Sequence, residues 1–219
     1  MVEHAAPPRC RLCGAAVQRP PRAPASPHLQ WWCSTCAATP VDHAHQLPWL
    51  YRQVQGFLRL HLGLALEQWL QPGELRLMSP AEWPAHNGRQ QQGEARTWAH
   101  ASPPAHGPRL VRAEVCLLQG LPALQAADVL AHEAFHVYCR AQGLRLPHEL
   151  EEGTANLWGY LLLAVHPGSA LADELRLRAL RDPNEIYGQG FRAARLAYRQ
   201  ASGFGEYLQL VRAQQPLAA

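Results

Sequence analysis

Apolar residues recur at helical spacing over several long stretches of the chain and alternate over two short ones. From Pro48 to Leu70, the residues Leu50, Val54, Phe57, Leu58, Leu62, Leu66 and Leu70 share one face, and Gln71-Pro72-Gly73 ends the run. That pattern predicts an amphipathic helix with a sharp stop. Glu74–Met78 alternates, and Leu110–Leu118 is a second apolar run; both predict strands. Residues 80–108 between them hold Pro80, Pro84, Gly88, three consecutive Gln and Ser102-Pro103-Pro104, which predicts a long loop and a candidate cleft rim. Gly120-Leu121-Pro122 opens a helix running to about Gln142, where Gly143 is suited to end it. Further helices are predicted over about Leu150–Val165, Leu171–Leu180 and Phe191–Arg212, with Asp182-Pro183-Asn184 capping a segment before the last. The expected fold is α+β, mostly helical with a short sheet.

The helix that follows Pro122 carries chemistry. Residues 132–136 read His-Glu-Ala-Phe-His, so His132 and His136 lie four apart and share a helix face. Glu133 adjoins the first histidine and can reach a water held between the two imidazoles. Set among Leu124, Val129, Phe135, Val137 and Tyr138, two imidazoles and a carboxylate are costly to bury unless a cation compensates. Catalytic zinc sites complete such a pair with a third ligand and keep one position open for water. Glu149, Glu151 and Glu152 follow soon after, once Gly143 has turned the chain back. Glu152 and Asn156 are at i, i+4, so Asn156 could orient a ligand histidine. Glu151 lies nearer the Trp158–Leu162 stripe, and periodicity does not exclude it as the ligand. With zinc in place, Glu133 is expected to act as general base on a zinc-activated water attacking a carbonyl. The oxyanion then needs a further stabiliser. Tyr187 in the glycine-rich turn is the candidate, with His148 and His166 behind it.

Composition narrows the setting. The 219 residues are 47% hydrophobic and 17% charged, which fits a folded chain with one core and a small appendage. All 20 basic residues are arginine, and the formal charge of +3 is too small to predict a nucleic-acid partner. No apolar run has membrane-spanning length and the first residues lack a signal-peptide pattern, so a cytoplasmic location is expected. Four of the six cysteines form the pairs Cys10/Cys13 and Cys33/Cys36. Two such pairs predict a closed four-cysteine zinc site, whose metal would supply most of the folding energy of a segment too poor in apolar residues to make a core. Residues 1–45 are therefore expected to form a zinc-ribbon-like module and 46–219 the main domain. Cys116 and Cys139 have no such partner and are expected to be small buried residues.

Four stretches together resemble the DA-one family of LIM-associated zinc metallopeptidases. They are Glu114–Pro122 leading into Val129–His136, Glu149–Gly153, Asp182–Arg192, and Cys33–Cys36 followed by the Leu47–Leu70 helix. The resemblance implies a zincin-type endopeptidase with His132, His136 and a following glutamate as ligands and Glu133 as base. Similarity to zinc peptidases whose ligand glutamate directly precedes a small residue and has a polar residue four further on favours Glu152. Two zinc ions are implied, one catalytic and one structural, and the expected partner is a protein or peptide substrate. Larger family members carry ubiquitin-interacting helices and a fuller LIM region; a single four-cysteine cluster starts this chain, so ubiquitin dependence is not expected to carry over. Two other readings are weighed beside the peptidase. One is a catalytically silent adapter on the same fold, against which the intact Glu133 argues. The other is a DNA-associated metalloprotease, against which the low net charge argues.

Overall fold

The computed structural model describes residues 40–83, 92–100, 109–166 and 169–214. The four cysteines 10, 13, 33 and 36 lie outside the described residues. Helix α1 (Leu47–Phe57) buries Leu47, Leu50, Tyr51, Val54 and Phe57 along one face. A single wider turn, Leu58–Leu62, extends it and ends at Gly63 with φ 69°, a left-handed conformation that glycine adopts without strain. The helix expected to reach Leu70 therefore stops short. Leu66 and Leu70 are still buried, because the Tyr51 hydroxyl donates to the Leu70 carbonyl at 2.7 Å and folds the chain back onto α1.

Three strands follow: β1 (Leu75–Met78), β2 (Gly93–His100) and β3 (Arg109–Leu118). Their order is β1-β3-β2, with β1 parallel to β3 (Leu75 opposite Val115) and β2 antiparallel to it (Ala95 opposite Val115). One expectation changes here: part of the stretch read as loop is the strand β2, which pairs with the central strand β3. Strand β2 was concealed by its composition. Arg96 pairs with Glu94 and Glu114, Arg112 stacks on Trp98 at 5.1 Å, and this charged outer face has no apolar alternation to signal it.

Helix α2 (Ala123–Ala141) packs on β2 and β3 with one side and on α3 (His148–Ala164) with the other. Phe135 and Tyr138 of α2 meet Trp158 of α3, with ring centroids 5.1 and 5.7 Å apart, and Trp69 closes on Tyr138 at 5.4 Å. Such pairs each add about 0.5–1.5 kcal/mol beyond area burial. Helix α4 (Ala170–Arg181) is capped by the Ser169 hydroxyl, which accepts from the Ala172 amide. A wide turn over Glu185–Gln189, capped by Asn184, leads into α5 (Gly190–Gln200), and α6 (Phe204–Ala213) ends the described chain. The final helix read from the pattern is thus two. The break is at Ala201–Gly203, where Glu206 reaches back to the Ser202 amide.

One close approach fixes the last third of the fold against α3. A Cβ at Gly153 would fall 2.4 Å from the carbonyl carbon of Gly190, and one at Gly190 would fall 2.5 Å from the Glu149 oxygen. The two backbones touch there, which seats Tyr187 beside α3. Gly153→Ala is expected to cost about 1–3 kcal/mol, because backbone must yield. Gly56→Ala, where a Cβ meets nothing within 4 Å, is expected to stabilise by up to about 1 kcal/mol. Urea unfolding of the two variants measures both; equal effects would contradict the packing described.

Candidate metal centre

Helical spacing brings His132 and His136 to one face of α2, and the first turns of α3 bring Glu151, Glu152 and Asn156 to meet them. The His132 and His136 Nε2 atoms are 3.2 Å apart. Glu152 places Oε2 3.4 Å from His132 Nε2 and Oε1 3.7 Å from His136 Nε2. The ligand atoms of these three residues all lie within 4.8 Å of one another. All three side chains are less than one-fifth exposed, at 19%, 17% and 12%.

The outer nitrogens determine what the inner ones offer. Asn156 Nδ2 donates to the Tyr187 carbonyl at 3.2 Å, so its Oδ1 is the acceptor for His132 Nδ1–H at 2.9 Å. On the other imidazole, Nδ1–H donates to Glu151 Oε1 at 2.9 Å, and Arg140 lies 3.6 Å from the same oxygen. With both imidazoles neutral, both Nε2 atoms face inward as lone pairs, toward a carboxylate that is also only an acceptor. Three acceptors facing one another without a donor repel; a proton on His132 or a divalent cation resolves the conflict. The donor set, two imidazoles and a carboxylate, fits zinc chemistry. Spacing along α3 left Glu151 and Glu152 both open. The geometry separates them: Glu152 faces both Nε2 atoms, while Glu151 holds the back of His136.

The electrostatics agree with a site built for positive charge. Burial would push the His132 imidazolium down, but the Glu152 hydrogen bond and the charges of Glu133, Glu152 and Asp128 push it up to about 9. Burial would likewise raise Glu152 and Glu151, yet the hydrogen bond and charge of His132 hold the former below its ordinary value, and those of His136 the latter. Glu133 behaves differently. Desolvation raises its carboxyl, against the charges of His132 and His136 and a hydrogen bond from the Ala95 amide. It is 7% exposed. A Cβ at Gly93 would lie 2.3 Å from Val129 Cγ1 and 2.9 Å from Glu133 Oε1, so only glycine lets β2 come this close to α2. Gly93 and Ala95 escaped the sequence reading, as did Arg140; nothing local marks a backbone amide or a close approach.

The site opens into a cleft of about 920 Å³ between β2, α2, α3 and α4. Tyr187 and His148 line it. His148 Nδ1 is 3.9 Å from Glu152 Oε1. His166 follows the far end of α3, exposed and away from the cleft, and Glu149 is exposed at the start of α3. Cys116 and Cys139 are buried free thiols.

Fold and site together define a helical α+β protein with a two-histidine, one-glutamate cluster on adjoining helices. Residues 106–176 match the family model described as DA1-like, Protein DA1, so that stretch of the chain is similar to the DA1 family. The matched stretch includes all three clustered residues and Glu133; Tyr187 lies beyond it. No curated protein and no solved structure matches the chain. Among the described residues, no helix is long and apolar enough to cross a membrane.

In the metal-free chain, His132 keeps its proton at neutral pH. Its folded pKa of about 9 exceeds the ordinary 6.5, so its contribution to stability is full below pH 6.5 and is lost as pH rises through 9. Thermal unfolding of chelated protein is expected to shift to lower temperature across that window. Metal uptake at pH 7.5 is expected to release protons, seen as a buffer-dependent binding enthalpy. An enthalpy independent of the buffer would contradict the assignment.

Proposed function

We propose that the chain is a zinc-dependent endopeptidase acting on protein or peptide substrates. The observation that carries this reading is the buried Glu133 carboxylate beside the inward-facing His132, His136 and Glu152. A structural zinc site has no need of a further acidic group held close to its ligands and open to a cleft. A zinc ion held by His132, His136 and Glu152 would supply a Lewis acid that polarises a carbonyl and acidifies water. Asn156 and Glu151 keep both imidazoles in the tautomer that presents Nε2 inward. Glu133 takes a proton from the attacking water on its carboxylate. The water oxygen bonds to the carbonyl carbon, the C–N bond breaks, and Glu133 returns the proton to the departing amine nitrogen. The raised affinity of its buried carboxylate for a proton suits that exchange.

Strand β2 supports a polypeptide substrate. Among the described residues it pairs only with β3, and Gly93, Ala95 and Thr97 line the cleft. An extended peptide could pair with its outer edge and cross the site. Tyr187, at the opposite wall, is the proposed stabiliser of the oxyanion. A second, structural zinc in a module of residues 1–45 rests on the spacing of Cys10, Cys13, Cys33 and Cys36, and the domain of 46–219 would carry the reaction. A cytoplasmic location and the absence of a nucleic-acid partner complete the proposal.

Glu133→Gln should retain the metal content of the parent chain and lose about 10²–10⁴-fold in cleavage of an unfolded protein. Unaltered cleavage would contradict the role of Glu133, and loss of metal would make it structural.

A further inference from the structure

The cleft continues past the metal ligands toward the N-terminal end of α2. Asp128 and Gln125 line that end, one and two turns before His132 on the same helix face. Both offer acceptors. Gln125 is 2% exposed; its Nε2 donates to Gln92 Oε1 at 2.7 Å, and its own Oε1 is buried without a hydrogen-bond partner. A buried amide oxygen left unpaired costs about 1–3 kcal/mol. Asp128 is a half-buried carboxylate laid against α3, where Gly159 makes room for it: a Cβ there would fall 2.1 Å from Oδ1. Desolvation pushes its carboxyl up to about 6, against the charges of His132 and Arg178. Two acceptors in this setting match a group that donates several hydrogen bonds and carries positive charge.

The field of the whole cleft has the same sign. Six carboxylates and two guanidiniums line it, whereas the chain as a whole has a formal charge of +3. A divalent cation at the metal centre offsets only half of that local excess. Arg178 stands on α4 across the same end of the cleft, 3.8 Å from Glu174, with its side chain 44% exposed. Its charge acts on Asp128 and would compete with a ligand cation for that carboxylate.

We propose that Gln125 and Asp128 form a subsite for a basic side chain, so that the cleft selects peptides bearing arginine or lysine near the scissile bond. The proposal rests on the peptidase reading of the cleft but makes a separate claim, selectivity for a cation. Asp128 would accept from the guanidinium or ammonium group as a charged pair, and Gln125 Oε1 would take one further N–H. Acidic peptides are disfavoured by the surrounding carboxylates.

The test uses the full zinc-loaded chain and a set of peptides in which one residue, at each position in turn, is arginine, citrulline or glutamate. Citrulline has the shape of arginine without its charge. Binding is read by fluorescence anisotropy on Glu133→Gln, and cleavage is read on the parent chain. At one position arginine is expected to exceed citrulline by about tenfold in both readouts. Asp128→Asn should bring that ratio close to one, and Arg178→Gln should increase it by removing the like charge. Ratios near one at every position, or a preference for glutamate, overturn the subsite. Arginine-selective binding without cleavage keeps the subsite and removes the peptidase reading. Cleavage without selectivity does the reverse, and the absence of both binding and cleavage removes the two together. The comparison on the parent chain decides the matter even if Asp128→Asn fails to fold.

Discussion

Two imidazole nitrogens 3.2 Å apart, with a carboxylate facing both, are the constraint around which the rest of the molecule is arranged. None of the three groups can donate while both histidines are neutral and hold their one proton on Nδ1, and that tautomer is enforced from outside. Asn156 grips one ring and Glu151 the other. Asn156 is in turn oriented by the Tyr187 carbonyl, which reaches α3 because Gly153 and Gly190 let two backbones touch. A contact between two glycines is thereby linked, through one amide, to the nitrogen that would meet a metal. Such outer partners matter because a ligand free to rotate forfeits part of its affinity.

The same helices that present these polar groups also carry the densest part of the core. Phe135 sits between Glu133 and His136, and Trp158 lies two residues after Asn156, so apolar and charged faces alternate on α2 and α3. The aromatic cluster of Phe135, Tyr138, Trp158 and Trp69 clamps the two helices at a spacing that leaves the acceptors facing one another. Burying Glu133, Glu151 and Glu152 together opposes folding, and the neighbouring core offsets it. On the sheet side, the backbone of β2 does for Glu133 what a side chain does elsewhere, with the Ala95 amide donating to the carboxylate. The cleft that results is acidic within a chain of positive net charge.

The sequence disclosed the parts of this arrangement that depend on local spacing. The histidine pair and Glu133 follow from four-residue periodicity, and the helices around them from apolar stripes, the first closed by Gly143. Other parts depend on approach in three dimensions. Glu151 and Glu152 are adjacent on α3, and only the position of His136 tells which of them faces the metal side. Strand β2 reads Gly-Glu-Ala-Arg-Thr-Trp-Ala-His, with a charged outer face and small inner residues, so no apolar alternation signals it. The edge lining the cleft is accordingly β2, while the more apolar β3 is the central strand. At Gly63 and at Ala201–Gly203 buried residues continue past a break in the backbone, and periodicity alone reads through both.

Zinc-edge anomalous diffraction from crystals of the zinc-loaded chain tests the central claim most directly. A peak bonded to His132 Nε2, His136 Nε2 and a Glu152 oxygen, at about 2.0–2.2 Å from each, is the expected result. A zinc-loaded crystal with no peak between the two histidines, or with Glu151 in place of Glu152 on the ion, would contradict the account.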